Sequence, residues 1–369
     1  MAQNPIAGLL TPFHLRNLDL ENRVVMAPMT RYFSPGGVPG DDVAAYYARR
    51  AEGGVGLVIT EGVFIPHPAA GFAETIPVLD GEPALAGWRK VTHAVHQHGS
   101  KIAAQLWHIG SQFLPGGSEG HEAEHVSASG LAGPGQPIGR ALGHDEIEGM
   151  VDAYARAAEN ARACGFDAIE LHAAHGYLID GFFWAGSNQR TDEYGGSLAA
   201  RTKFGADVVR ECRARCGPDF PIIMRYSQWK NADYDARLAE TPQELEAFLG
   251  PLVDAGVDVF DCSTRCFWEP AFAEGEMGLA GWTKKLSGKP VITVGSVGLT
   301  TDLFGSLGDD GAKVAANIAQ LMAMFERGDF DLVAIGRMLI THPDWIAKVS
   351  QGEHDSLAPF SKDQLETLY

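Results

Sequence analysis

The sequence predicts an eight-fold (β/α) barrel, a TIM barrel, from three observations. Eight short β-rich apolar runs recur along the 369 residues. Each is followed by a segment with helix signals, and eight alternating β/α units close most simply into a barrel. The runs are continuously apolar, as parallel strands covered on both faces are, rather than alternating. A doubly wound open sheet is the alternative arrangement of the same units.

The runs are "RVVMAP" near Val24, "VGLVIT" ending at Thr60, "KIAAQLW" ending at Trp107 and "DAIELH" ending at His172. The later four are "PIIMRYS" ending at Ser227, "VDVFDCS" ending at Ser263, "PVITVGS" ending at Ser296 and "DLVAIGR" ending at Arg337. Two of the intervening helices have readable ends. In "HDEIEGMVDAYARAAENARACGF", Asp145 is the expected N-cap with Glu148 three residues later. Ile147, Met150, Val151, Tyr154 and Ala158 form its apolar stripe, and Gly165 ends it. In "TPQELEAFLGPLVDAGV", Thr241 caps, Pro242 takes the first helical position and Glu244 completes the box. Leu245, Phe248, Leu249 and Leu252 face the core. The connection from Ser111 to Gly143 is too long for a plain turn. It is expected to be a functional loop or a small excursion on a single domain spanning 1–369.

Composition narrows the partners. With 45% apolar residues a large core can be buried. A net charge of −18 argues against nucleic acid and against anionic membrane surfaces. No apolar stretch approaches the roughly 18 residues of a membrane span, and "MAQNPIAGLLTPFHLRNLDL" does not read as a secretory signal. The five cysteines include no C-x-x-C and read as free buried thiols in a reduced, cytoplasmic setting. The expected partner is a small molecule, and the chain a monomer or homodimer.

Barrel active sites lie at the C-terminal ends of the strands, so those residues carry the chemistry. Arg225 sits within the apolar "IIMRYS", where a guanidinium needs an acidic neighbour or an anionic ligand. "TVGS" and "AIGR" both end in glycine at a strand-to-helix turn, and the last two barrel strands are the usual phosphate site. Arg337 adds a bidentate donor there. "IELHAAHGYLIDGFF" places His172, His175 and Tyr177 together. Three readings stay open on local grounds. The first is part of a zinc site, although a third ligand is missing from the pattern. The second is a pair of core histidines. The third is two N–H donors for an oxygen atom, with a phenol beside them as proton donor.

Taken with "LLTPFHLRNLDLENRVVMAPMTR", "GGVGLVITEG", "QLWHIG", "SNQRTDEYGGSLAARTKF", "VGSVG" and "LVAIGRMLITHPDW", this stretch makes nearly the whole chain resemble the old yellow enzyme family. That resemblance implies a flavin-dependent ene reductase with noncovalent FMN at the barrel mouth and NAD(P)H as reductant. It implies Pro28, Met29 and Thr30 lining the flavin, and Gly62 and Gln105 on its pyrimidine side. Arg225 would face the N1–O2 edge, and Gly295, Ser296, Gly336 and Arg337 would bind the phosphate. His172 and His175 would hold a substrate carbonyl, Tyr177 would protonate the α-carbon, and Trp107 would border the substrate.

Several residues depart from the pattern that the resemblance brings. Gly181 stands where relatives usually carry Gln, Ser111 where many carry Arg, and Ala334 where Gly is frequent. "SLAAR" replaces the common "SLENR", and "CSTRCFWEP" is unlike the best-known members, so Phe267 and Trp268 are expected to reshape the substrate pocket. Thr30 with Trp107 points to the better-known subgroup, and Tyr32 to the other. The unusual loop motivates an alternative, oxidation of an amine or N-methyl substrate on the same flavin. A zinc-dependent barrel hydrolase using His172 and His175 is the reading from another class.

Overall fold

The computed structural model describes residues 4–71, 74–112, 124–273, 275–308, 312–353 and 357–369. Its centre is a closed barrel of parallel strands: β1 (Val24–Met26), β2 (Leu57–Phe64), β3 (Lys101–Trp107), β4 (Ala168–His172), β5 (Ile222–Tyr226), β6 (Val259–Ser263), β7 (Val291–Val294) and β8 (Leu332–Ile335). Val333 of β8 pairs with Val24 of β1, and that closure rules out the open-sheet alternative. β2 runs past the expected Thr60 to Phe64 because its register against β3 shifts between Ile59 and Gly62. The Thr60 hydroxyl accepts the Gln105 N–H across the shift, at 3.1 Å.

Helices alternate with the strands, among them α1 (Asp41–Glu52), α2 (Glu82–His96), α3 (His144–Ala163), α4 (Lys203–Cys216), α5 (Pro242–Ala255), α6 (Leu279–Ser287), α7 (Ile318–Glu326) and α8 (Trp345–Ser350). Strand parity divides the core into two layers. Residues such as Val24, Val58, Ile169, Ile222 and Phe260 face the helices. Their neighbours Val25, Ile59, Ala103, Ala168, Ile223, Val259, Ile292 and Leu332 fill the barrel. An antiparallel hairpin, Phe13–Leu15 with Leu18–Leu20, adds Phe13, Leu18 and Leu20 to this inner layer. Arg16 in its turn bonds Asp258, just before β6, at 2.6 Å, so the hairpin closes the N-terminal end.

Helix α3 begins two residues earlier than expected. Gly143, in extended conformation, is the N-cap, and Glu146 accepts its N–H at 2.7 Å. Asp145 therefore lies inside the first turn, where its charge favours the helix dipole without capping. Gly165, at φ 89°, follows the end of this helix as expected. Thr241 caps α5, accepting from the Glu244 N–H at 3.2 Å. Within the expected 111–143 excursion, Val126–Ser127 pairs with Arg140–Ala141 and Leu131–Gly133 with Gln136–Pro137. Residues 113–123 of that excursion lie outside the described residues. All five cysteines are free and buried. Among the described residues, no helix is long and apolar enough to cross a membrane.

Phe248 is fully buried where α5 meets the barrel, its ring 5.1 Å from Phe183 and 5.3 Å from Tyr226. Phe248→Ala should cost about 3–5 kcal/mol, read as a lower denaturation midpoint at an unchanged denaturant slope.

Candidate active site

The inward parity of the strands continues to the C-terminal mouth, where polar residues replace apolar ones. Gln105 and Trp107 on β3, Glu170 and His172 on β4, Arg225 on β5, and Asp261 and Ser263 on β6 are all buried. They continue the inner layer two and four residues beyond Ala103, Ala168, Ile223 and Val259.

Arg225 resolves its charge in two ways at once. Its Nη1 donates to Asp261 at 2.8 Å and its Nη2 to Ser263 at 3.1 Å. The acidic neighbour considered from sequence is therefore present. Yet the guanidinium Nε is buried and has no partner among the described residues. A donor left in that state costs free energy unless a ligand completes it.

His172, His175 and Tyr177 come together on one tight turn after β4. His175 and Gly176 both take left-handed backbone, φ 65° and 83°, which reverses the chain at the barrel rim. The His175 N–H donates to Ser227 Oγ at 2.9 Å, and its carbonyl accepts from the Asn231 N–H at 3.0 Å. Its Nε2 shares a hydrogen bond with Ser263 Oγ at 2.8 Å, and its ring stacks on Trp229 at 4.2 Å. Beneath the turn, the Gly176 N–H donates to Asp180 at 2.7 Å, and Asp180 pairs with Lys230 at 2.7 Å. Neither member of that pair is exposed at all.

The rings converge. His172 lies 5.1 Å from His175 and 4.8 Å from Tyr177, edge to face in both cases. Trp107 meets Tyr177 edge-on at 4.9 Å and stacks on His172 at 6.0 Å. The indole also explains Gly62, since a Cβ there would lie 2.4 Å from Trp107 Cε3. His172 Nδ1 and Trp107 Nε1 are buried without partners among the described residues. Burial first, then the charge of Arg225, holds His172 well below the ordinary imidazole range. His175 is lowered in the same way by burial and then by His172, Arg225 and Lys230. Both rings are neutral near pH 7, so each offers one N–H. Burial pushes the Tyr177 phenol up to about 12, against a hydrogen bond with Asn231, so it keeps its proton.

The phosphate-type pole lies across the mouth. Gly295 and Ser296 take φ 140° and 54°, and Gly336 precedes the short helix Arg337–Thr341. Arg337 donates to Ser296 Oγ at 3.1 Å, to the Asp302 carbonyl at 2.6 Å, and to Ser306. Half-buried Pro28, Met29 and Thr30 follow β1, and Met29 Sδ lies 3.3 Å from where a Gly336 Cβ would be. Trp268 packs edge-on against Phe267 at 5.0 Å. Among the described residues, no group of three or more His, Cys, Asp or Glu could hold a metal ion. Asp261, Trp229, Asn231 and the Asp180–Lys230 pair are site elements that the sequence analysis did not single out as such. Asp261 carried a usable signal, as a charge inside the apolar "VDVFDCS" comparable to Arg225 in "IIMRYS".

Residues 8–356 match the model of the NADH:flavin oxidoreductase / NADH oxidase family. The chain belongs to this family. FMN with a nicotinamide reductant is the redox chemistry of these flavin oxidoreductases, and the old yellow enzymes are among them. The chain is 33% identical to NADH oxidase of Thermoanaerobacter brockii over 95% of its own length, but it spans only 52% of that protein. It is 34% identical to putative 12-oxophytodienoate reductase 2 of Oryza sativa subsp. japonica, covering 91% of this chain and 85% of that one. Among solved structures, morphinone reductase with tetrahydroNAD superposes with a TM-score of 0.79 at 28% identity, covering 97% and 93% of the two chains. The old yellow enzyme homologue from Zymomonas mobilis gives 0.78 at 27%, covering 98% and 96%.

The residues present suit the family's flavin. The unpartnered Arg225 Nε is a cationic donor for a negatively polarised ring edge, and Arg337 with the two glycine turns offers donors for a phosphate. Lys230→Met would leave Asp180 buried without a cation. It should cost about 3–5 kcal/mol, measured by chemical denaturation. In the folded fraction, the pKa of His175 by NMR should rise, because one of the cations lowering it has gone.

Proposed function

We propose that this chain is an FMN-dependent, NAD(P)H-linked reductase of alkenes activated by a conjugated carbonyl. The observation that carries this reading is the convergence of two neutral imidazoles and one protonated phenol within 6.2 Å of one another, beside a buried arginine with a free donor. Relatives named as reductases of 12-oxophytodienoate and of morphinone support it.

Pro28, Met29, Thr30, Gly62 and Gln105 would hold the ring system, with Arg225 at its N1–O2 edge. Gly295, Ser296, Gly336 and Arg337 would hold the phosphate. Once bound, FMN supplies to the alkene β-carbon a hydride that came from NAD(P)H. As that hydride arrives, electron density moves onto the substrate's carbonyl oxygen. His172 and His175 donate to this oxygen, and they do so more strongly as its charge grows, which lowers the barrier rather than merely tightening binding. Because both rings are neutral, they stabilise the charge without surrendering a proton to it. Tyr177 then gives its proton to the α-carbon and is reprotonated from solvent. Trp107, stacked on His172, borders the substrate, and Trp268 would flank it from the loop after β6.

Arg225→Ala and Arg337→Ala should each weaken FMN retention, read as flavin content after gel filtration. Full occupancy and unchanged reduction rates in both variants would show that the cofactor lies elsewhere. Tyr177→Phe should keep FMN binding and reduction by NAD(P)H while slowing re-oxidation by cyclohexenone by roughly 10²–10⁴. Re-oxidation by oxygen, which needs no carbon protonated, should be spared. Equal slowing with both oxidants, or none, would remove Tyr177 from the reaction. In the parent, the enone half-reaction should not vary with pH between about 6 and 9. Tyr177 stays protonated below its raised pKa, and the histidines stay neutral above their lowered ones. A rate that falls as pH rises through that window would contradict the assigned proton states. Formaldehyde release from an N-methyl amine without enone turnover would favour the amine-oxidising alternative.

A further inference from the structure

On the two strands flanking that of Arg225 lie two carboxyl groups that the proposed reaction does not use. Glu170 on β4 and Asp261 on β6 both point into the barrel, and neither is exposed at all. They come from alternate strands on either side of β5, as members of one interior layer do. One oxygen of each is accounted for. Glu170 Oε2 accepts from Gln105 Nε2 at 2.6 Å, and Asp261 Oδ2 accepts from Arg225 at 2.8 Å. The other oxygen of each, Glu170 Oε1 and Asp261 Oδ1, has no donor among the described residues. The two side chains contact one another. Two buried carboxylates facing in the barrel, with one cation between them, would leave a net buried negative charge and two acceptors without a hydrogen.

We propose that Glu170 and Asp261 share a single proton, with Glu170 Oε1–H donating to Asp261 Oδ1, so that the pair carries one negative charge balanced by Arg225. The charged groups bearing on Glu170 are Asp261 and Arg225; Gln105 on β3 is uncharged, and His172, two residues along β4, is neutral. Burial, and then the Asp261 charge, raises the Glu170 carboxyl well above the ordinary range, in keeping with this arrangement. The consequence for function rests on the FMN reading above, whereas the shared proton does not. A reduced flavin is anionic at the edge facing Arg225. With both carboxylates ionised, that anion would meet a net negative site. With one proton held between them, it meets a site of balanced charge. Glu170 is therefore a positioning residue that sets how strongly the site favours reduced over oxidised FMN.

Amide variants test this. Glu170→Gln reproduces the protonated acid, since its amide oxygen can accept from Gln105 and its NH₂ can donate to Asp261. A parent-minus-Glu170→Gln infrared difference spectrum at pH 8 should show the C=O stretch of a carboxylic acid. The paired stretches of a carboxylate in its place would overturn the proposal. If Glu170→Gln does not fold, Asp261→Asn serves equally, because Glu170 then ionises beside the amide and the acid band disappears.

Stability against pH gives a second reading. A carboxyl raised in the folded state supports folding fully below its unfolded pKa, and this support is lost as pH rises toward the folded value. From about pH 5 upward, the parent should therefore lose thermal stability that Glu170→Gln retains. A variant that is the less stable of the two at pH 8 would contradict the shared proton.

Flavin titrations give the third reading. The ratio of reduced to oxidised FMN affinity should stay at the parent value in Glu170→Gln. It should rise by about tenfold or more in the Glu170→Gln/Asp261→Asn double variant, where the last negative charge is gone. A rise already present in Glu170→Gln alone would mean that both carboxylates were ionised. Failure of every variant and the parent to bind FMN would instead defeat the cofactor reading, and the infrared band would still decide the proton.

Discussion

The ion pair between Arg225 and Asp261 is the interaction around which this barrel mouth is organised. A guanidinium inside an apolar barrel is expensive in isolation. Asp261 neutralises it at 2.8 Å, and Ser263 takes a second donor at 3.1 Å. Ser263 in turn holds His175, which couples the charge centre to the oxygen-binding turn. Because Asp261 removes only part of the demand of Arg225, one donor remains for a ligand. The same positive charge helps to keep His172 and His175 neutral. A single buried cation thus provides a ligand donor and fixes the proton state of the groups beside it.

Rigid support surrounds that centre. The turn carrying His175 and Tyr177 uses two successive left-handed residues, and His175, which unlike Gly176 carries a Cβ, is strained there and needs outside constraint. The constraint comes from a wholly buried ion pair beneath it, a stacked indole on one side, and hydrogen bonds to Ser227 and Asn231. Catalytic groups held in this way lose little freedom when substrate binds, which is what preorganised donors require.

Much of this was legible in the sequence, and the reasons differ by residue. Eight apolar runs gave the eight strands because parallel barrel strands are buried on both faces and need no alternation. Arg225 was visible as a charge in an apolar run, and His172, His175 and Tyr177 as neighbours in one short stretch. The start of α3 was read two residues too late, because any acid near a helix start resembles a cap and only backbone geometry distinguishes Gly143 from Asp145. The partnership of Lys230 with Asp180 joins residues 50 apart, and that of Glu170 with Asp261 crosses the barrel interior between alternate strands. Such pairings depend on strand register, which local pattern does not encode. Trp229 looked like an ordinary loop residue until the fold set it against His175.

The most direct test of the proposed chemistry is an anaerobic half-reaction of the parent protein. Purified protein loaded with FMN would be reduced with one equivalent of NAD(P)H and mixed with cyclohexenone in a stopped-flow spectrometer. The expected result is return of the oxidised flavin spectrum, with one equivalent of cyclohexanone formed. A flavin that stays reduced until oxygen is admitted, with the enone recovered unchanged, would contradict it.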